Sequence, residues 1–530
     1  NNSDNYYTGT RGSGTGTDLL PLPKEVSKGV RLKVRWDIAD SLQLNLAGFK
    51  YLQDGVSSSA MPNTNPSLVT QLAKPALTLT TDPGFETRPY HVAVDVPGYF
   101  AVDNEVYYGQ LNFNPEWFDV KLLGSTQKIT TDNVFDFDGT NAPIVLFDAR
   151  GQFADVKTAE LQFLSNGDWG PDWLTWILGG FYLDQKSGFP LNRFGVAGTE
   201  LSDLQLLNLL PAPAGLVDLL AQLNAVPDGV SLALTSLLGT KSTAFFTQFT
   251  IDVTDDLHLT LGGRYQEEDR RVVESSTGLA NLGGGATTLI QRMTPSSHTT
   301  NFSPKASLAY DIADDAMVYG SYTEGYKSGT YNTVNIYDEI EYVKPETVKT
   351  SELGFKSELF DGLLRLNGAV FENKIKNLQV QFVSLLAGGA VNLENAGGAR
   401  IRGADFDFQL TPMPDWNPGL VILGGGTYLD SKYTSYTSGS GFTINPLTGD
   451  YSGAGVYNQA TGDWTGNKLT RTPKFSGTFG FNQLFELGSG DLEFGSTVYY
   501  NSGFYYLAQN SPISREAKYY VIDAQVSYFY

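Results

Sequence analysis

Residues 519–530, the last of the chain, read Tyr-Tyr-Val-Ile-Asp-Ala-Gln-Val-Ser-Tyr-Phe-Tyr. Successive side chains of a strand point to opposite faces, so Tyr520, Ile522, Ala524, Val526, Tyr528 and Tyr530 share one face while Asp523, Gln525 and Ser527 share the other. A strand that is apolar on one side, polar on the other and aromatic at its end fits the closing strand of a transmembrane β-barrel, where girdle aromatics sit at the membrane interface. An edge strand of a soluble sandwich shows the same alternation. The rest of the chain has to decide between them.

The same pattern recurs near the other end. Val30, Leu32, Val34 and Trp36 alternate with Arg31, Lys33, Arg35 and Asp37, and after Ala39-Asp40-Ser41 the apolar phase resumes at Leu42, Leu44 and Leu46. A dry core does not face a row of Arg, Lys and Arg, because burying unpaired charge costs too much. A water-filled lumen does. Further paired segments follow at about 104–113 and 118–129, 157–165 and 174–186, 242–253 and 258–271, and 302–311 and 316–326. They continue at 347–359, 363–382, 392–411, 420–435, 473–485, 490–504 and 519–530, for roughly seventeen strands, most of them long enough to cross a membrane.

The connections sort by length. Those at 37–41, 114–117, 254–257, 312–315, 360–362, 412–419 and 486–489 are short, whereas those at 54–103, 130–156, 187–241, 272–301, 327–346, 436–472 and 505–518 are mostly long. Outer-membrane barrels have short periplasmic turns and long extracellular loops, so the short set is assigned to the periplasm and the long set to the outside. A soluble β protein has no reason to alternate its loop lengths. The expected fold class is therefore all-β, a transmembrane antiparallel β-barrel.

Composition agrees. Mean hydropathy is −0.19, and no apolar run approaches the roughly 18 residues of a membrane-crossing helix. Cysteine is absent, which excludes disulfides and thiolate metal sites. Aromatics make up 13% of the chain and glycine is abundant, a bias toward strands and turns.

Phe302-Ser303-Pro304-Lys305, Val318-Tyr319-Gly320-Ser321-Tyr322 running into Gly325-Tyr326-Lys327-Ser328-Gly329, Pro345-Glu346, and Glu352-Leu353-Gly354-Phe355-Lys356 follow one another in order. Phe371, Leu378-Gln379-Val380, Asn395-Ala396-Gly397 and Gly403-Ala404-Asp405 continue the series, and Leu261-Gly262-Gly263-Arg264-Tyr265 precedes it. Over nearly its whole length the chain resembles the TonB-dependent outer-membrane receptors, most of all those of α-proteobacteria and related Gram-negative bacteria. The resemblance implies a barrel of about twenty-two strands, a plug domain folded inside the lumen, and energy supplied through the TonB complex of the inner membrane. Tyr528 and Tyr530 are similar to the C-terminal signal read by the barrel-assembly machinery, although Gln525 stands where that signal often has glycine.

Such receptors begin with a TonB-gripped segment and a plug, and neither is visible before Asn1. Residues 1–25, rich in Asn, Gly and Thr, read as a strand end and extracellular loop of an incomplete N-terminal barrel portion, and 26–530 as the barrel with its long loops. With an odd strand count, the strand at 26–36 runs in the same direction as the last one and needs strands before it. A fragment of a larger receptor is the favoured reading.

Ligand specificity is expected in the extracellular loops, on a rigid frame of strands. The loop aromatics Tyr331, Tyr337, Tyr451, Tyr457, Trp464, Phe504, Tyr505 and Tyr506 are the candidates for ligand contact, with loop packing and the interfacial girdle as the alternative role for each. Residues 201–238 read as short amphipathic helices broken by Pro-Ala-Pro-Ala-Gly, with apolar stripes at Leu204, Leu207 and Leu210 and at Leu216, Leu219, Leu220 and Leu223. Those stripes either cap the barrel or dock a surface-exposed partner protein or an apolar ligand.

The net charge of −21 disfavours nucleic acid as a partner. Long loops poor in Arg and Lys weigh faintly against a strongly anionic ferric siderophore and leave carbohydrates, aromatic compounds and peptides open. His91, His258 and His298 are isolated, and Asp132, Asp136 and Asp138 lack the spacing of a calcium loop, so no metal and no cofactor is expected. No nucleophile elbow, P-loop or dinucleotide fingerprint stands in a fitting context, and no enzyme is expected. The expected function is a receptor that binds a scarce nutrient and imports it through a plugged barrel with energy from TonB, in contact with the lipid and lipopolysaccharide of the outer membrane. A passive pore and a barrel anchoring a surface partner are the alternatives.

Overall fold

The computed structural model describes the chain apart from residues 1, 4–7, 12–17, 21–24, 56–90, 94–97, 137–145, 168–169, 196–229, 282–285, 334–338, 385–389 and 443–458. Seventeen antiparallel strands stand side by side in chain order. They are β1 (Glu25–Ala39), β2 (Leu42–Gly55), β3 (Tyr99–Phe113), β4 (Asp119–Asp136), β5 (Leu146–Leu164), β6 (Leu174–Gly195), β7 (Val230–Thr254), β8 (Leu257–Asn281) and β9 (Ser296–Ala313). The run continues with β10 (Ala316–Lys327), β11 (Glu346–Leu359), β12 (Leu364–Lys376), β13 (Gly398–Leu410), β14 (Leu420–Ser435), β15 (Phe475–Leu487), β16 (Gly490–Asn501) and β17 (Tyr519–Phe529). Each strand pairs with the next, the order of an up-and-down barrel wall. The terminal strands of this run, β1 and β17, are exposed along almost their whole length.

Register carries the two-faced pattern from strand to strand. Phe355, Gly368, Phe406, Gly426, Gly477, Tyr500 and Tyr520 lie directly opposite one another across seven strands, β11 to β17. They share a face with Ile522 and Val526, which makes it the lipid face. Aromatic rings lie over the glycines between them: a Cβ on Gly368 would stand 2.7 Å from the Phe355 ring, and one on Gly426 3.0 Å from the Phe406 ring.

The opposite face is a polar network. On β1 to β3, Arg35 Nε donates to Asp37 (3.1 Å), Gln43 Nε2 donates to Asp37 (2.9 Å), and Asn45 and Asn112 both donate to Gln43 Oε1 (2.9 and 3.2 Å). Gln110 donates to Asn112 (2.7 Å) and accepts from Tyr108. This is the water-facing wall that the Arg-Lys-Arg row of β1 requires.

The strands reach further than alternation alone suggests. β7 and β8 are 25 residues each, roughly 80 Å of extended chain, well beyond the apolar belt. Parts of the segments read as loops at 130–156, 187–241 and 272–301 are therefore strand. Above the lipid both faces meet water or other protein, so the alternation fades while hydrogen bonding to the neighbouring strand continues. The Leu-rich segment is corrected in the same way: Val230 to Leu238 is not helix but the start of β7, with Leu234 opposite both Asn192 of β6 and Thr277 of β8. Long-range pairing there overrides a local periodicity.

The segments read as single strands at 363–382 and 392–411 each break. Asn377 adopts a left-handed conformation (φ 54°), which a side chain tolerates best as Asn, and turns the chain out of the wall after β12. A separate hairpin, Gln379–Ser384 paired with Ala390–Asn395, rises before β13 begins. Among the described residues no helix is long and apolar enough to cross a membrane, which says nothing against crossing by strands.

Candidate functional site

At the long-loop end, short hairpins are laid over the wall. Thr330–Tyr331 pairs with Tyr342–Val343, Gly439–Phe442 with Gln459–Gly462, and Phe504–Tyr505 with Arg515–Glu516, beside the 379–395 hairpin. Side-chain amides tie them together by acting as surrogate strand partners. Asn332 donates from Nδ2 to the Leu393 carbonyl (2.7 Å) and accepts from its N–H (3.0 Å). Asn395 does the same with Lys344 (3.0 and 2.7 Å), and Asn510 with Lys468 (3.0 and 2.9 Å). Beneath them lies a small apolar core of Val380, Ala396, Ala399, Tyr433, Tyr436, Leu469 and Ala508.

Glu394 is the polar hub of this layer. Its carboxylate accepts from the Tyr436 hydroxyl, from the Ser440 N–H (2.8 Å) and from the Ser440 hydroxyl (2.8 Å). Burial, reinforced by the bond to Glu394, pushes the Tyr436 phenol well above its ordinary pKa. The layer is thus a fixed platform built on hydrogen bonds that span long stretches of sequence.

The aromatics singled out from sequence divide within it. Tyr331 is 6% exposed, its ring 5.0 Å from that of Tyr342. Trp464 packs on the apolar core, over Gly439, Gly441 and Gly462. Phe504, Tyr505 and Tyr506 stay together at a rim: Phe504 and Tyr506 meet edge to face at 5.0 Å, the Arg471 guanidinium lies 5.7 Å from the Tyr506 ring, and the Tyr506 hydroxyl donates to Glu516 (2.9 Å). That bond raises the Tyr506 pKa, and the ring remains 47% exposed. Tyr337, Tyr451 and Tyr457 lie outside the described residues, as do Leu204, Leu207, Leu210, Leu216, Leu219, Leu220 and Leu223.

Lower down, the lumen wall gives Arg264 and His258 partners that sequence reading did not find. Arg264 of β8 stands between Phe181 and Phe246, 5.5 and 5.8 Å from their ring centres. His258 is bracketed by Asp252 (2.6 Å) and Asp311 (3.0 Å) near the short-turn end. Neither arrangement is visible in sequence, because Phe181, Asp252 and Asp311 are brought to these residues by strand register. Among the described residues, no group of three or more His, Asp or Glu side chains is placed to hold a metal ion.

The family described as TonB dependent receptor-like, beta-barrel matches residues 68–529. The ferric-pyoverdine 358 receptor of Pseudomonas putida is 28% identical over 182 residues, 34% of this chain and 20% of that protein. The probable TonB-dependent receptor BfrD of Bordetella pertussis is 27% identical over 150 residues, 28% of this chain and 19% of that protein. These alignments span about a fifth of each relative's length. Among solved structures, the ferric yersiniabactin uptake receptor FyuA of Yersinia pestis superposes with a TM-score of 0.69 at 14% identity, covering 99% of this chain and 66% of that one. The siderophore receptor PiuA of Acinetobacter baumannii gives 0.63 at 17% identity, covering 96% and 68%. At such identities the superpositions establish the fold, and the match over 68–529 establishes the kinship: the chain belongs to the TonB-dependent receptor-like β-barrel family of the Gram-negative outer membrane.

Proposed function

We propose that this barrel is the wall of a receptor that captures a ferric siderophore at its extracellular layer and imports it through the lumen with energy delivered by the TonB complex. The observation that carries this reading is the cross-linked platform of loops above a polar lumen wall. A passive channel gains nothing from a fixed roof, whereas a receptor needs one to hold ligand groups in place. Three of the four proteins named above, the pyoverdine receptor, FyuA and PiuA, carry a ferric chelate or siderophore in their own names, which supports the choice of cargo over the carbohydrates, aromatic compounds and peptides that loop charge leaves open. The role is transport without catalysis.

Phe504, Tyr505 and Tyr506 with Arg471 are the proposed contact group, an aromatic and cationic rim suited to the aromatic or anionic periphery of a ferric chelate. Tyr337, Tyr451 and Tyr457 are proposed to join them, while Tyr331 and Trp464 support the platform from below. A plug, supplied by sequence beyond this chain, is proposed to close the lumen.

The test is uptake of radiolabelled iron by iron-starved cells that carry or lack the full receptor, supplied with a panel of siderophores. At least one chelate should enter only with both receptor and TonB present, and Tyr506→Ala should weaken its binding about tenfold. Equal uptake of every chelate with and without the receptor would sink the proposal.

A further inference from the structure

The lumen face is unevenly charged. On β1, Arg31, Lys33 and Arg35 face the lumen between Val30, Leu32, Val34 and Trp36 of the lipid face, so they stand at the depth of the apolar belt. Successive members are two residues apart, and together they form a cationic rail about 14 Å long on one strand. Level with them on β2, β3 and β4 every residue is neutral, from Phe49, Ala47 and Asn45 to Gln127, Ser125 and Leu123. All three cations are exposed. Among the described residues their one ion pair joins Arg35 to Asp37 (3.1 Å) at the short-turn end, and Arg31 and Lys33 have none.

The wall from β11 to β17 has the opposite sign. Register places Glu352, Glu358, Asp405, Asp407, Glu493 and Asp523 on its lumen face, where the cations are Lys356 and Arg365. Asp407 accepts from the neutral Asn367 (2.9 Å) and Glu352 from the Tyr319 hydroxyl (2.7 Å), so neither charge is cancelled. Low-dielectric walls focus such a field into the space between them. An anion inside is drawn to β1 and repelled from β11 to β17, whereas a neutral solute is steered by neither. Beside the rail, the amides of Asn45, Gln43, Gln110 and Asn112 bond to one another and leave little to hold a passing solute.

We infer that the cargo crosses the lumen as an anionic ferric chelate along β1, passed from Arg31 to Lys33 to Arg35, and that the passage opens on this side of the barrel. The route presupposes the import function proposed above and adds to it the charge of the cargo and its path. A fixed partner needs a carboxylate placed for each cation. Equal steps along the transport direction, beside a wall without carboxylates, suit an anion that moves. The positive charge that such a chelate needs thus stands in the lumen rather than in loops poor in Arg and Lys.

The test uses the full receptor in iron-starved cells and radiolabelled ferric chelates of two classes, anionic tris-catecholates and neutral tris-hydroxamates. TonB-dependent entry should favour the anionic class by at least about tenfold. Arg31→Gln with Lys33→Gln and Arg35→Gln should slow entry of the best anionic chelate about tenfold at saturation, while its binding to de-energised cells stays unchanged. Asp405→Asn with Asp407→Asn, on the anionic wall, should not slow it, and Arg31→Lys with Arg35→Lys should import at the wild-type rate. Equal entry in the triple variant and the wild type, preference for neutral chelates, or a matching loss of binding overturns the route. So does entry of a bulky antibiotic that wild-type cells exclude, because the three cations would then be holding the plug. If the triple variant fails to assemble, Lys33→Gln alone should slow entry about threefold, and an unchanged rate overturns the route. Wild-type cells that import no chelate by a TonB-dependent path would instead remove the import function itself.

Discussion

The Tyr436 hydroxyl donates to the Glu394 carboxylate, joining the loop after β14 to the hairpin between β12 and β13. The phenol's raised pKa sets the direction of a pH effect. A group that holds its proton more tightly when folded stabilises fully below its unfolded pKa, about 10 for tyrosine, and loses that stabilisation as pH rises above it. The hydrogen-exchange protection factors of residues 433–442, corrected for the base catalysis of amide exchange, should therefore be constant between about pH 6 and 9 and fall above about pH 10. Tyr436→Phe should abolish that alkaline step, and an unaltered step in the variant would show that another group controls it.

Asn417 and Gln483 exchange two amide hydrogen bonds, 2.7 and 2.8 Å, and Gln483 is 8% exposed. Removing one partner leaves a buried amide unsatisfied, which costs about 1–3 kcal/mol. Asn417→Leu should lower the urea midpoint of the refolded barrel, and the double variant Asn417→Leu with Gln483→Leu should recover part of the loss. Additive losses would argue that the pair is not coupled.

Gln43, by contrast, sits in a network that faces water. It donates to Asp37 and accepts from Asn45 and Asn112, yet lost partners there are replaced by solvent. Gln43→Ala should cost under about 1 kcal/mol, read by the same urea titration. A loss as large as that of Asn417→Leu would mean that this part of the lumen is dry.

Gly368→Val tests the lipid face. A Cβ there meets the Phe355 ring at 2.7 Å, so either the ring swings into lipid or the strands part. The variant should assemble more slowly and migrate in part as unfolded protein on unheated gels, while Gly368→Val with Phe355→Ala should assemble normally. Equal defects in both would place the fault elsewhere.

The wall was readable from sequence because a barrel strand reports its two solvents residue by residue. The Val30 to Trp36 and Arg31 to Arg35 rows, and the closing strand ending at Tyr530, say which side is lipid and which is water without any knowledge of neighbours. Loop length supplied the orientation. The reading weakened where strands leave the membrane: Val230 to Leu238 looked helical because its leucines no longer separate lipid from water, and only pairing with β6 and β8 makes it strand.

The candidate site was the least readable part. Tyr331 and Tyr506 are both loop tyrosines, and nothing adjacent in sequence says that one is buried against Tyr342 while the other lies exposed beside Arg471. The anionic wall of the lumen is still more hidden, since Glu352, Asp405, Glu493 and Asp523 lie on four separate strands and gather on one face only through register. By itself, then, the sequence determined the fold class, the membrane-facing side and the direction of the strands, because each is a property of single strands in contact with solvent. Tertiary structure alone decided which loop aromatics face outward, which amides lock the roof, and which charges stand together, because those depend on residues distant in sequence and are set by how hydrogen bonds align one strand against the next.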